Sequence, residues 1–310
     1  MKEFRAADAG ERQEKMGMEK ICVYADFDFL KEKEQIGTLF GEQVRGSRHF
    51  SFEFATGWLE DHGSVILGGD MQNEAGRQYP PEGEQLFTDE FSRMGGILWR
   101  DGTDGDFIGR QAKCPVPSVT GLSALAAASM GVEAANEKNA VPSRHMLDLL
   151  ALSACSLGGA RPKASVIDTE GLLCVAKFPS VKDKEDTELL EHFAQLMAQK
   201  AGISTAETRA ISVERNRHAL LSRRFDRTSE GKRLHFASSM ALLGLRDGDG
   251  AETGKGYPDI ADFIALNCVN PEQNLRELYR RIAFNILFGN TDDQPYPQLI
   301  FRNHIRQYSP

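Results

Sequence analysis

Hydrophobic and polar positions change period several times along this chain, and each change marks an element. Residues 21–26 form a short β-branched and aromatic run that predicts a strand. From 49 to 54 the pattern alternates, with Phe50, Phe52 and Phe54 on one face and His49, Ser51 and Glu53 on the other. A Thr56-Gly57 turn is expected before Trp58 and Leu59, and residues 76–85, rich in Gly and Pro, read as a loop. Residues 94–99 predict another strand, closed by the turn-rich stretch 101–106. Residues 122–128 look helical, and a polar link at 136–139 leads into a second helix over 143–154, capped by Ser143.

The second half opens with a hairpin, residues 164–167 and 172–178 around an Asp-Thr-Glu-Gly turn. A helix follows over 186–201, with Leu189, Phe193, Leu196, Met197 and Lys200 at helical spacing and Gly202 as its stop. Residues 220–227 read as a strand running into a connection between lobes. The clearest helix is 275–288, where Leu275, Leu278, Tyr279, Ile282, Ala283, Ile286 and Leu287 draw a wide apolar arc and predict a core helix.

Length and composition narrow the function classes. A chain of 310 residues suggests two domains, and 41% hydrophobic residues suffice for a sizeable core. The net charge of −8 gives no general grip on nucleic acid or an anionic membrane. The longest apolar run, residues 121–132, is interrupted by serines and too short to span a bilayer. The first 20 residues carry ten charges and no apolar stretch, so they are expected to be a disordered leader and not a secretory signal. Five cysteines, the nearest two 19 positions apart, give neither a disulfide framework nor a zinc motif, and a reducing cytoplasm is the expectation.

The candidate chemistry sits after residue 155. Ser156-Leu-Gly158-Gly159-Ala-Arg161-Pro-Lys163 is a small-residue loop with two cations, and the hairpin behind it ends in Val175-Ala176-Lys177. Adjacent glycines let main-chain N–H groups approach phosphate oxygens, and a strand lysine can reach the same phosphates as a point charge. Glycine loop followed by strand lysine is the order of a kinase nucleotide lobe. No Walker A loop is present: residues 249–256 lack both its first glycine and its hydroxyl residue. In such a lobe a helix supplies a Glu to the lysine; Glu191 is the candidate, although the helical wheel sets it opposite the Leu189/Phe193/Met197 stripe. Residues 212–233 hold seven cations against three acids, which reads either as an anion-binding rim or as a charged exposed hairpin. Asp292 and Asp293 stand just past the 275–288 helix, where an anion opposes the helix dipole and a functional reason is favoured.

Together these strings resemble the HipA family, the serine/threonine-kinase toxins of bacterial toxin–antitoxin modules. The resemblance is carried by FSFEF (50–54), SRMGGILWR (92–100), SLGGARPKAS (156–165), VAKFPS (175–180), LLSRRFDR (220–227) and RRIAFNILFGNTDD (280–293). It implies an α+β, protein-kinase-like fold with an N-terminal mixed β/α subdomain over 21–148, a nucleotide lobe over 149–222 and a helical catalytic lobe over 223–293. By matching positions it makes Lys177 the ATP-phosphate lysine, with Gly158 and Gly159 beside the phosphates and Glu191 as ion-pair partner. It makes Arg223 to Phe225 the hinge for adenine, Asp292 the catalytic base and Ser156 a site of inhibitory autophosphorylation. The cofactors it implies are ATP and Mg²⁺. Its implied partners are a HipB-like helix-turn-helix antitoxin, through which DNA is reached indirectly, and a translation protein such as an aminoacyl-tRNA synthetase as substrate.

The pattern departs directly after Asp293. Gln294 and Pro297 occupy the places where the resemblance calls for a His and a magnesium-binding Asn, and no second metal-binding Asp is matched. The expectation is therefore a chain cut short, as by a frameshift near codon 294. It would have an incomplete helical lobe, an anomalous tail over 294–310, impaired catalysis, and a non-catalytic antitoxin-binding role as the alternative.

Overall fold

The computed structural model describes residues 19–44, 47–65, 67, 72–78, 95–108, 116–153, 161–245, 251–289 and 300–302. The charged leader up to residue 18 and most of the tail lie outside them, as do Ser156, Gly158, Gly159 and Asp292.

The architecture is α+β, with two antiparallel sheets and a helical region. The first sheet is built from β1 (Glu19–Ala25), β2 (Glu34–Val44), β3 (Ser47–Phe54), β4 (Arg77–Gln78) and β5 (Ile97–Asp101) in the order β4-β3-β2-β1-β5. The alternation of Phe52 and Phe54 has the expected consequence: both enter a core with Val23, Ala25, Phe27, Ile36 and Trp58. The expected turn at Thr56-Gly57 is instead the start of α1 (Thr56–His62), because helical geometry swings Trp58 inward against Phe27. Gly96 is obligatory in the same region: a Cβ there would sit 2.5 Å from the Phe27 ring.

Helix α2 (Leu122–Glu137) is longer than its apolar core suggests and runs on through Asn136. Helix α3 (Arg144–Ser153) starts where expected, with the Ser143 hydroxyl accepting from the Met146 N–H at 3.3 Å. The second sheet has the order β6-β7-β9-β8. Its strands are β6 (Lys163–Ile167), β7 (Leu173–Lys177), β8 (Thr208–Glu214) and β9 (Arg217–Arg223). One face carries Ala164, Val166, Cys174, Ala176, Ala219 and Leu221, and α2 covers it with Leu122, Leu125 and Ala126. Although the expected boundary falls between 148 and 149, α2 packs with this sheet. The other face receives α4 (Thr187–Lys200).

The third region starts with β10 (Phe236–Ser238) and the short α5 (Ser239–Leu242). It continues with α6 (Tyr257–Asn267) and α7 (Pro271–Phe288). Leu275, Leu278 and Ile282 of α7 pack against Ile260, Ile264 and Cys268. The expected arc is only partly buried: Tyr279, Ile286 and Leu287 stand exposed, because among the described residues the packing partners of α7 cover one stripe of it. Gly289, at φ +66°, closes α7 in the left-handed conformation that favours glycine. From the tail comes β11 (Ile300–Arg302), which pairs with β10. No helix among the described residues is long and apolar enough to cross a membrane.

Candidate functional site

The β6–β7 hairpin fixes the site through its register. Lys163 stands directly across from Lys177, and Ser165 across from Val175. Since Ala164, Val166, Cys174 and Ala176 face α2, the alternation turns Lys163, Ser165, Val175 and Lys177 to the α4 side. Two like charges directly opposite destabilise a strand pair unless anions accompany them. The Lys177 Nζ donates to Glu191 Oε1 of α4 at 2.5 Å. Each side chain is 32% exposed, so the pair is open to solvent on one side. Ser165 is 2% exposed, and its hydroxyl is buried without a hydrogen-bond partner.

Helix α4 is positioned by its ends. Asp186 caps it, accepting from the Leu189 N–H at 3.3 Å, and also accepts from the His218 N–H of β9. Gly202 terminates it at φ +76°. Its rotation is the reverse of what the apolar stripe implies. Leu189, Phe193 and Met197 are 40%, 52% and 37% exposed, whereas Glu188 is 1% exposed and Glu191 reaches the sheet. The sheet-facing stripe is polar because each of its groups has a partner: Lys177 for Glu191, Arg161 for Glu188 at 3.0 Å, and Thr208 for His192 at 2.8 Å. Burial pushes the Glu188 carboxyl above its ordinary range, against the pull of the Arg161 charge.

The segment proposed for the hinge leaves β9 held from two sides. The Arg223 N–H donates to the Glu207 carbonyl at 2.9 Å and the Arg224 N–H to the Leu173 carbonyl at 3.1 Å. Phe225 packs edge-on against Phe236, 4.9 Å between ring centres. Next to it, Asp226 is fully buried and accepts from Arg224 at 2.8 and 2.7 Å, from Arg227 at 2.5 Å and from the Gly95 N–H at 2.8 Å. Burial alone would raise the Asp226 pKa; the Arg224 hydrogen bonds and charge, the Arg227 charge and the Gly95 N–H outweigh it and hold it low. Burial also pulls Arg227 down to about 10.

Five of the seven cations in 212–233 are therefore engaged within the protein, while Arg215 and Lys232 stand exposed. Arg224 and Arg227 turn inward to Asp226, Arg233 pairs with Asp26 at 3.3 Å, Arg217 donates to the Ser180 carbonyl at 2.5 Å, and Arg223 lies 3.7 Å from Glu207. The pairings of Arg233 and Arg223 escape a reading of local charge, because their partner acids Asp26 and Glu207 lie outside the stretch.

The structure thus brings Lys177 and Glu191 together, and it sets Arg223 and Phe225 at the exit of the same sheet. Helix α7 ends beside α4, with Phe288 6.3 Å from Phe193 between ring centres, and Ser204 ties the two helices' surroundings by donating its N–H to Glu277 at 3.0 Å. Among the described residues no cluster of three metal-ligating side chains gathers.

Comparison with known proteins bears on the same region. Residues 155–294 match the HipA-like C-terminal domain. No curated protein matches the chain. Among solved structures, a chain of the Shewanella oneidensis MR-1 toxin–antitoxin complex of HipA, HipB and operator DNA superimposes with a TM-score of 0.58 and 14% identity. The match covers 94% of this chain and 74% of that one. The α+β fold is that of the HipA structure, whose organisation is kinase-like. Residues 155–294 thus carry a HipA-like C-terminal domain, and the chain as a whole shares the fold of the HipA structure.

Proposed function

We propose that this chain binds ATP on the α4 face of the second sheet and derives from a HipA-type serine/threonine kinase. The observation that carries the reading is the Lys177–Glu191 pair, 2.5 Å long, on the face where Lys163 stands opposite Lys177. Two lysines facing one another put two positive charges on one face, an arrangement that suits a polyphosphate. Lys163 and Lys177 would hold phosphates, with Gly158 and Gly159 beside them, and the main chain of Arg223 to Phe225 would hold the base. ATP would bring magnesium on its phosphates and supply the phosphoryl group; Asp292 would serve as base toward a protein serine. Gln294 and Pro297, where the resemblance calls for His and Asn, support transfer that is slow relative to binding.

A second reading concerns partners. The structural neighbour is described as a complex with HipB and operator DNA. That likeness, extending over 94% of this chain, supports docking of a HipB-like antitoxin and contact with DNA only through it. The net charge of −8 favours such indirect contact.

Mass spectrometry after incubation with ATP and magnesium tests the catalytic half of the proposal. Little or no phosphate above an Asp292→Asn control is expected, with any that appears on Ser156. Rapid transfer that persists in Asp292→Asn would overturn both the role of Asp292 and the slow-transfer reading.

A further inference from the structure

Arg161 sits two positions past Gly159, at the entry to β6, and its guanidinium lies between two acids that come from well beyond it in the chain. It donates to Asp183 Oδ2 at 2.5 Å and approaches Glu188 Oε1 at 3.0 Å. Neither acid is a loose surface group. Asp183 also accepts the Ser180 N–H at 2.7 Å, and Glu188 is 1% exposed on the first turn of α4, one turn before Glu191. The loop between β7 and α4 is anchored from its other side as well. Glu133 of α2 accepts from the Ser180 hydroxyl at 2.5 Å and from the Val181 N–H at 3.0 Å, and Arg217 holds the Ser180 carbonyl. Among the described residues, Arg161 Nε and Glu188 Oε2 are both buried without a partner.

We propose that Arg161 is a positioning residue, a clamp that joins the entry of β6 to the first turn of α4 so that Lys163, Lys177 and Glu191 keep one geometry. The physical argument is connectivity. Lys163 is two residues from Arg161 on one side of the clamp, and Glu191 is three residues from Glu188 on the other. A single guanidinium nitrogen, Nη2, meets both carboxylates, so the bridge needs a cation held at that one point; a lysine keeps the charge but has a shorter reach and no planar head to hold it there. The consequence for nucleotide rests on the phosphate-binding reading of Lys177, whereas the clamp itself does not.

The experiment uses the full chain and the variants Arg161→Ala, Arg161→Lys, Glu188→Ala and the double Arg161→Ala/Glu188→Ala. Hydrogen–deuterium exchange without nucleotide is read at residues 163–167 and 187–191, and ATP affinity is read by titration calorimetry. Exchange in both segments should rise in Arg161→Ala while β1 to β3 stay unchanged, and ATP affinity should fall on the order of tenfold. Arg161→Lys, which keeps the charge and the fold, should lie between Arg161→Ala and wild type in both readouts. The double variant should be no weaker for ATP than Arg161→Ala alone, because the two residues act as one unit. Unchanged exchange in Arg161→Ala overturns the clamp. So do affinity losses that multiply in the double variant, which would make Arg161 a direct phosphate contact. A wild type that ignores ATP while exchange still responds to Arg161→Ala overturns the phosphate reading of Lys177 and upholds the clamp.

Discussion

Gly95 donates its main-chain N–H to the carboxylate of Asp226 at 2.8 Å, across 131 positions of sequence. The bond joins the strand-entry loop of the first sheet to the connection that leaves the second. Arg224 and Arg227 complete the shell around the same carboxylate, and Arg233 donates to the Gly95 carbonyl at 3.0 Å. One buried acid therefore fixes where β5 begins relative to where β9 ends, and with it the path of Arg223 to Phe225.

Asp226→Asn should be strongly destabilising. It leaves Arg224 and Arg227 buried without an anion, and breaking a buried ion pair from one side costs roughly 3–5 kcal/mol. Urea denaturation measures this directly, and a loss below about 1 kcal/mol, the range of exposed pairs, would contradict the buried-anchor role.

The same carboxylate sets an acid limit. Its pKa in the folded chain lies below the ordinary 3.8, so its contribution is present above 3.8 and is lost as pH falls through the lower folded value. The melting temperature of wild type should exceed that of Asp226→Asn by a constant margin above about pH 5, and the margin should shrink below 3.8.

Glu188 gives the opposite sign. Burial raises its folded pKa above 4.5, with Asp183 and Glu191 adding to the rise and Arg161 opposing it. Its contribution is thus complete below 4.5 and declines as pH climbs through the folded value. Arg161→Ala removes the opposing charge, so its destabilisation should be least near pH 4.5 and grow toward neutrality in a series of thermal melts. A penalty independent of pH would mean that the Arg161–Glu188 contact is not electrostatic.

Glu191→Gln separates orientation from stability. The Lys177–Glu191 pair is one-third exposed on each side, and such pairs contribute no more than about 1 kcal/mol. The melting temperature should barely move, while ATP affinity falls because Lys177 loses the group that directs it. Equal affinity in both proteins would remove Glu191 from the site.

Much of this was legible in the sequence, and the misreadings share a cause. The β6–β7 hairpin, the Ser143 cap and the ends of α4 follow from local chemistry: a turn, a capping hydroxyl or carboxylate, a left-handed glycine. The rotation of α4 does not, because an amphipathic pattern identifies the buried face only when polar groups lack partners inside. Here Lys177, Arg161 and Thr208 supply those partners, and the apolar stripe with Phe193 is left outward beside Phe288. Arg224 and Arg227 turn inward for a related reason: folding buries the neighbouring Asp226, which also accepts from the distant Gly95 N–H, and the two arginines follow it. Strand β2 and helix α6 went unassigned: β2 carries polar and glycine residues through its length, and α6 is opened by Gly256 and Asp259 at the edge of a glycine-rich stretch.

The central claim is that Lys177 holds a nucleotide phosphate, and thermal denaturation with and without ATP tests it most directly. A ligand bound only to the folded state stabilises it by about 2.7 kcal/mol at a hundredfold excess over its dissociation constant. ATP with magnesium should therefore raise the melting temperature of the wild type by several degrees, adenosine should raise it less, and Lys177→Ala should abolish most of the ATP shift while its own unliganded melting temperature stays close to wild type. An equal ATP shift in wild type and Lys177→Ala, or no shift in either, would contradict the account.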